Sequence, residues 1–549
     1  MDSQYMSSHG RGKFVRFLQR LNDHKGLFLI LFVAMWYPVL CDITNVASQW
    51  TPRHFVAVAI LDFCEAYLLV GILSFVGNNR VFNFCSGIVL FITIFEGLLR
   101  LTGIAFAHGV LDEDIMAAVL GTNAAEASEM AGTFLTLKNV CLFLGYPSII
   151  AITAYLTKKI RNWTPSELYS KAIFAVFILS VCFVGCYQYA KEGITYQATP
   201  NQTINLIACY NAVIHSNDHH IVKTNPHLTV SEDGQPPLIV WIVGESTSSH
   251  HSSLYGYAKP TNPLLQKRVD AGQAYAYKQV KSAWTHTQES IRLMMSTYSK
   301  RSGTSVKWYE CTTLPEVAHL AGYHTYWISN QSKKGLYDNY VGQYSEFCDT
   351  SVFIGNKFAG CTRLTYDGDL IPVMKRFLMK PTSKDFFIVH LMGCHAAFDG
   401  RYPASFDFFK EKDYSDRPQS QRHNLATYDN AARYNDFVVN AIMSLVSKRE
   451  AIVVYAPDHG LDIYQTRPDH CAHGIGGNKK SESISRDIPF IIYMSPLYRQ
   501  HHPDVAVDVA KSVNKNFDTE NIIYLMMDLM QCDFNPSVVK KLSVIRSHV

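Results

Sequence analysis

Four short apolar runs, each breaking off into polar groups that can hold a metal or a phosphate, constrain this chain more than any other feature. Residues 451–456 lead into Asp458, His459 and Gly460. Residues 237–243 lead into Gly244, Glu245 and Ser246, and residues 386–392 into Gly393, Cys394 and His395. The fourth, residues 324–328, leads into Ser329, Asn330 and Gln331. Short runs rich in β-branched and aromatic residues read as buried strands of a parallel sheet. Ligands of open α/β sheets bind beyond the carboxyl ends of the strands. Four such strands would deliver Glu, Asn, His and Asp-His to one edge, a site suited to a hard cation and a phosphate.

At 549 residues the chain exceeds one ordinary domain. Long apolar segments dominate residues 1–190. Residues 191–236 carry no strong period and read as a linker and juxtamembrane segment. Residues 237–549 read as a soluble α/β domain. The net charge of +4 is small, and no basic stripe points to nucleic acid. The thirteen cysteines are too few for a disulfide scaffold at this length. Cys348 and Cys361 are the best pair by proximity.

Five transmembrane helices are expected, at roughly 26–43, 54–76, 82–107, 137–157 and 171–190, each near the roughly 20 residues that cross a bilayer core. More spans follow the first and no cleavage site is evident, so it does not read as a signal peptide. Lys and Arg crowd the N-terminal tail (Arg11, Lys13, Arg16, Arg20, Lys25) and the loop after the fourth span (Lys158, Lys159, Arg161, Lys171). The loop at 108–136 has neither and is acidic. The positive-inside rule then places the N-terminus inside and residues from about 191 onward outside, which in a Gram-negative cell is the periplasm. The 108–136 loop reads as an amphipathic helix with Thr122 and Glu126 on one face. It is either a solvated interfacial helix or a lipid-headgroup contact whose carboxylate could pair with an ammonium. His215, His219 and His220 read more readily as solvated surface than as metal ligands.

Glu245, Asp458 and His459 make a plausible zinc shell with an open fourth position. A hydroxyl there would become a nucleophile, because coordination lowers the pKa of a bound oxygen. Ser246 and Thr247 are expected to enter the turn after the strand. Thr287 is the better candidate, read as the N-cap of a helix with Ser290 at N3, where helix N–H groups could receive a phosphate. His395 and His473 stand where they could stabilise phosphoryl oxygens, protonate a leaving alkoxide or bind a second metal. Asn330 with Lys333 or Lys334 could contact phosphate oxygens. His390 is either a supporting group or a core histidine.

Taken together, Gly244–Thr247, Ser253–Tyr257, Thr287–Ser290, Gly393–His395, Arg401–Pro403, Tyr428–Asn430, Tyr434–Asp436, Asp458–Gly460 and His473-Gly474 resemble the bacterial phosphoethanolamine transferases. These are membrane enzymes of the alkaline phosphatase and sulfatase superfamily that include the mobile colistin-resistance enzymes. The resemblance covers essentially the whole chain. It implies five spans followed by an α/β/α periplasmic domain with a mostly parallel central sheet. It also implies zinc held by Glu245, Thr287, Asp458 and His459, with one ion firmly bound and room for a second in turnover. Thr287 falls on the nucleophile, and His395 and His473 on phosphate-contacting or second-metal histidines. Lys334 matches a loop lysine, and Thr122 and Glu126 match headgroup-binding positions. The implied chemistry is ping-pong: phosphatidylethanolamine loses its phosphoethanolamine to Thr287, diacylglycerol leaves, and the group passes to an acceptor. Family members that modify lipid A often carry cysteines flanking the nucleophile segment, where this chain has Ala283 and Leu293. The expected acceptor is therefore a lipopolysaccharide core sugar or a periplasmic glycan, with lipid A less favoured. The expected protein is a monomer in the inner membrane.

Two other enzyme readings share the scaffold. A sulfatase needs a Cys or Ser in a Cys/Ser-x-Pro/Ala-x-Arg setting, which is missing near Thr287, and a plain phosphatase would not need five spans. A glycerol-phosphate transferase would also use five spans and a threonine. A non-catalytic sensor with a decayed enzyme domain is opposed by the intact Glu245, Thr287, Asp458 and His459.

Overall fold

The computed structural model describes residues 24–45, 52–107, 137–160, 175–176, 178–179, 203, 207, 228–231, 235–299, 311–331, 340–355, 365–468, 470–474 and 479–546. They fall into two compact units.

The first unit is helical. Its main elements are α1 (Lys25–Asn45), α2 (Pro52–Ser74), α3 (Asn79–Ala107) and α4 (Leu137–Ile160). Three segments among the described residues are long and apolar enough to cross a membrane: Lys25–Asp42, Asn79–Ala105 and Leu137–Lys158. This differs from the expected five. At 23 residues α2 matches the expected second span in length but is not one of the three, and the expected fifth span lies almost wholly outside the described residues. Apolar side chains such as Phe84 and Phe91 face outward, as helices surrounded by lipid require. Helices approach closely where a small residue meets an aromatic one. Tyr146 of α4 lies against Gly97 of α3, where any Cβ would collide with its ring, and its hydroxyl donates to the Ala34 carbonyl of α1 at 3.0 Å. Glu96 is buried and accepts from the Thr203 backbone N–H and hydroxyl, each at 2.9 Å.

The second unit is built on a seven-stranded sheet. Its strands are β1 (Leu238–Gly244), β2 (Ala274–Ala276), β3 (His324–Ser329), β4 (Thr350–Phe353), β5 (Asp385–His390), β6 (Ala451–Pro457) and β7 (Ile491–Met494). Their spatial order is β2-β7-β6-β1-β5-β3-β4. β6, β1, β5, β3 and β4 pair in parallel. β7 runs against both its neighbours, so the expected mostly parallel sheet is in fact mixed at one edge. The central strands are apolar throughout because both faces are covered. Ile239, Trp241 and Val243 pack with α5 (Thr287–Met294), α6 (Leu314–Leu320) and α7 (Ile522–Leu529). Leu238, Val240 and Ile242 pack with the other layer, built on Leu370–Leu378 and the long helix Gln419–Val446.

The register aligns Val243 with His390, His390 with Ser329, and Gly244 with Pro457. Four neighbouring strands therefore end level at one edge, with Glu245, Asp458, Gly393 and Asn330 just beyond it. Cys348 is a free thiol, and Cys361, its suggested partner, lies outside the described residues. Cys348 sits where its chain segment is turned toward the Tyr344 carbonyl, 3.9 Å from the sulfur. Cys361, the segment 108–136 with Thr122 and Glu126, Lys333, Lys334 and the histidines at 215, 219 and 220 lie outside the described residues.

Candidate metal and nucleophile site

At the carboxyl ends of β1 and β6 the chain turns sharply. Ser246 takes a left-handed backbone with φ 52°, costly for a residue with a Cβ unless its surroundings hold it. Two groups do so. The Ser246 N–H donates to Asp458 Oδ1 at 3.3 Å, and the Tyr428 hydroxyl donates to the Ser246 carbonyl at 2.7 Å while accepting from the Ser248 N–H at 2.9 Å. The turn after β5 crosses close by. A Cβ on Gly393 (φ 51°) would stand 2.5 Å from the Glu245 carbonyl oxygen, so only glycine fits.

This folding gathers Glu245, Asp458 and His459, whose ligand atoms lie within 4.8 Å of one another. All three side chains are almost fully buried. His459 Nε2 is 3.3 Å from Glu245 Oε1 and 3.5 Å from Asp458 Oδ2. His459 Nδ1 lies 2.7 Å from the Gly460 carbonyl. A carbonyl only accepts, so Nδ1 carries a proton and Nε2 is the ring nitrogen that faces the two carboxylates.

The Thr287 hydroxyl donates to Glu245 Oε2 at 3.1 Å and stands 3.3 Å from His459 Nε2. Unlike its buried neighbours, Thr287 is partly exposed. Its helical role differs from the expected one. His286 is the N-cap and Thr287 the first residue of α5. The Thr287 oxygen is drawn to the carboxylate and so does not cap the helix, and the Ser290 hydroxyl accepts from the Trp284 N–H at 3.1 Å instead.

The electrostatics are those of a cluster that wants a cation. Burial opposes ionisation of Glu245, but the hydrogen bond and charge of His459, the charge of His395 and the Ser246 hydroxyl outweigh it and hold its carboxyl well below the usual range. Burial and then the Glu245 charge push Asp458 well above that range. Burial disfavours a charged His459, yet the Asp458 and Glu245 carboxylates lift it to about 9. Asp458 Oδ2 is buried without a hydrogen-bond partner. Two buried carboxylates cannot both ionise cheaply without a positive charge between them. Two carboxylate oxygens, one imidazole nitrogen and one hydroxyl form a donor set that fits zinc.

His395 and His473 flank this cluster. His473 Nδ1 lies 3.1 Å from the Thr285 carbonyl and its ring centroid 4.6 Å from that of His459. Burial and then the His459 charge depress His473 to about 3. His395 Nδ1 is buried without a partner. Its loop is held by Arg401, whose Nε donates to the His395 and Ala396 carbonyls, each at 3.1 Å. Asn330 is buried, with Nδ2 donating to Asp367 Oδ1 at 2.8 Å and Oδ1 without a partner. Asp367 also accepts the N–H groups of Met392 and Gly393 at 2.8 and 2.9 Å, fixing the turn that leads to His395. Ala283, just before α5, and Leu293, within it, are both buried in the core.

Sequence reasoning passed over Gln331, which touches Glu245 (Nε2 to Oε2, 3.2 Å), and Asp367. Gln331 was visible as the last residue of the fourth polar group, but its neighbours Asn330 and the two lysines drew the attention. Asp367 sits on no strand end and has no sequence signal of its own.

Residues 237–532 match the family model described as Sulfatase, over more than half of the chain. The phosphoethanolamine transferase CptA of Salmonella typhimurium is 25% identical over 493 residues, covering 84% of this chain and 82% of that protein. The integral membrane lipooligosaccharide phosphoethanolamine transferase A (EptA) of Neisseria meningitidis superposes with a TM-score of 0.66 at 17% identity, over 94% of this chain and 97% of that one. The C-terminal periplasmic domain of EptC from Escherichia coli, in a complex with Zn, gives 0.51 at 23% identity over 58% of this chain and 88% of that one. At these identities the structural likenesses establish a shared fold.

Proposed function

Because this chain belongs to the sulfatase family, and its relatives include enzymes named phosphoethanolamine transferases, we propose that it is a zinc-dependent phosphoethanolamine transferase of the bacterial inner membrane. The donor is phosphatidylethanolamine. The acceptor is a lipopolysaccharide or periplasmic glycan hydroxyl, on a core sugar or on lipid A. The observation that carries this reading is the partly exposed Thr287 hydroxyl, set on Glu245 Oε2 and beside His459 Nε2. A threonine here suits phosphoryl transfer, since sulfatases of this fold need a processed cysteine or serine.

Glu245, Asp458, His459 and the Thr287 oxygen would hold the zinc ion, which when bound lowers the pKa of that oxygen. Glu245 Oε2 receives the hydrogen bond of the Thr287 hydroxyl and holds its oxygen against the cluster. The Thr287 hydroxyl gives up its proton as its oxygen attacks phosphorus, and the bond from phosphorus to the diacylglycerol oxygen breaks. That oxygen takes a proton and leaves as diacylglycerol. The phosphoethanolamine on Thr287 is then attacked by an acceptor hydroxyl, which gives up its proton and releases the threonine. His395 contacts the phosphoryl oxygens or supplies the leaving-group proton, while His473, neutral and with its Nδ1 hydrogen on the Thr285 carbonyl, would offer Nε2 to a second metal ion. The N-terminus of α5 adds its partial positive charge. Asn330 and Lys334 are candidates for further phosphoryl contacts. Thr122 and Glu126 are candidates for the donor's ammonium. Five spans, with residues from about 191 onward in the periplasm, would keep the site on the side where the acceptor lies.

The test is diacylglycerol release from phosphatidylethanolamine by the purified, zinc-loaded protein in detergent. The wild type is expected to release diacylglycerol, and Thr287→Ala to release essentially none while still binding zinc, more weakly. Full release by Thr287→Ala would remove Thr287 from the role of nucleophile. Release from phosphatidylglycerol alone would change the donor.

A further inference from the structure

Glu245 Oε2 carries two donors, and only one of them belongs to the proposed nucleophile. The other is Gln331 Nε2, at 3.2 Å. The same nitrogen donates its second hydrogen to the Leu391 carbonyl at 3.0 Å. Both acceptors lack hydrogens, so the amide can face them only through its NH2 group, which fixes its orientation. The backbone holds it in place, because the Gln331 N–H donates to the Ser329 hydroxyl at 3.0 Å. That hydroxyl in turn lies 3.3 Å from Nδ1 of the fully buried His390. Ser329, Leu391 and Glu245 stand at the ends of β3, β5 and β1, so Gln331 ties three neighbouring strand ends together at the carboxylate.

On the other side, Glu245 Oε1 accepts from the Ser246 hydroxyl at 2.7 Å and faces His459. Ser246 and Gln331 thus grip the two oxygens from opposite partners and set the rotation of the carboxylate plane. That rotation decides whether Oε2 meets the Thr287 hydroxyl.

We infer that Gln331 is a positioning residue for this site: its amide holds Glu245 in the rotation that ligates the metal and receives the Thr287 hydroxyl. The inference rests on the proposed metal site. Outer groups that orient a ligand change metal affinity by about 10–100-fold when removed.

The experiment compares the full-length wild type with Gln331→Met, which keeps the volume and removes both hydrogens, and with Gln331→Glu, which sets a carboxylate against two acceptors. Zinc affinity is read by chelator competition on the metal-free protein, with thermal melting of the same samples alongside. Both variants are expected to melt near the wild type without zinc. Gln331→Met should bind zinc about 10–100-fold more weakly, with kcat lowered and the KM for donor little changed. Gln331→Glu should bind no more tightly than Gln331→Met. Zinc affinity and kcat of Gln331→Met within twofold of wild type would overturn the positioning role while leaving the transferase reading intact. A clearly lowered melting temperature of the metal-free protein in both variants, alongside weaker zinc binding, would make the residue structural. If the wild type itself binds no zinc, both the metal site and this inference fall.

Discussion

Single residues carry unequal loads in this site. Glu245, Asp458 and His459 were legible from the sequence because each follows directly on an apolar strand, and strand ends are where an α/β sheet presents side chains. Thr287 was legible only in company, since an isolated threonine before a helix is usually a cap; here His286 takes that position instead. His390 stood between two readings, and the structure makes it a fully buried residue packed edge-on against Trp327 with ring centroids 5.7 Å apart. Burial depresses it to about 4 from the usual 6.5. The sign follows from proton linkage: a histidine buried neutral contributes stability that is fully present above its unfolded pKa and lost as pH falls through its folded one. Between about pH 6.5 and 4 the folded protein should lose up to about 3 kcal/mol from this group. Melting temperature against pH should therefore fall more steeply over that window in the wild type than in His390→Phe. Parallel profiles would show that other groups set the acid limit.

At the scale of elements, the sheet edge and its turns were only partly readable. The alternation of apolar runs with polar ends gave the four central strands. It did not give the antiparallel strand β7, because a buried edge-proximal strand has no direction in its composition. Nor did it give the work of the long helix Gln419–Val446. There Tyr428 pins the Ser246 turn, and Asp429 accepts from the Tyr257 and Tyr414 hydroxyls and meets His251 Nδ1 at 2.7 Å. Asp436 accepts the N–H groups of Leu264 and Leu265, each at 2.9 Å. Their spacing marks them as a motif, but what each one touches depends on loops far away in sequence. The turn after β5 allows the sharpest test. Gly393→Ala adds a Cβ 2.5 Å from the Glu245 carbonyl at a left-handed backbone position. It should cost about 2 kcal/mol or more and weaken zinc binding with it, as read by denaturant melts and chelator competition. An unchanged midpoint and affinity would mean the turn moves aside freely.

For the whole molecule, hydropathy marked a helical first part and a sheet-based second part, and both are present as separate compact units. The count of spans was less secure, because three segments among the described residues meet the length and hydropathy of a crossing while the sequence reads five. The acceptor was read from the family resemblance alone. Ala283, just before α5, and Leu293, on α5 itself, are both buried in the same apolar core, which does not say what sugar approaches. The central claim is narrower than the acceptor: a lipid-derived phosphoethanolamine rests on Thr287 during turnover. Intact-protein and peptide mass spectrometry, after incubation of the zinc-loaded protein with phosphatidylethanolamine and no acceptor, tests it most directly. The account predicts a gain of one phosphoethanolamine mapped to Thr287 and absent from Thr287→Ala. Diacylglycerol release with no adduct on the wild type, or an adduct on another residue, would contradict it.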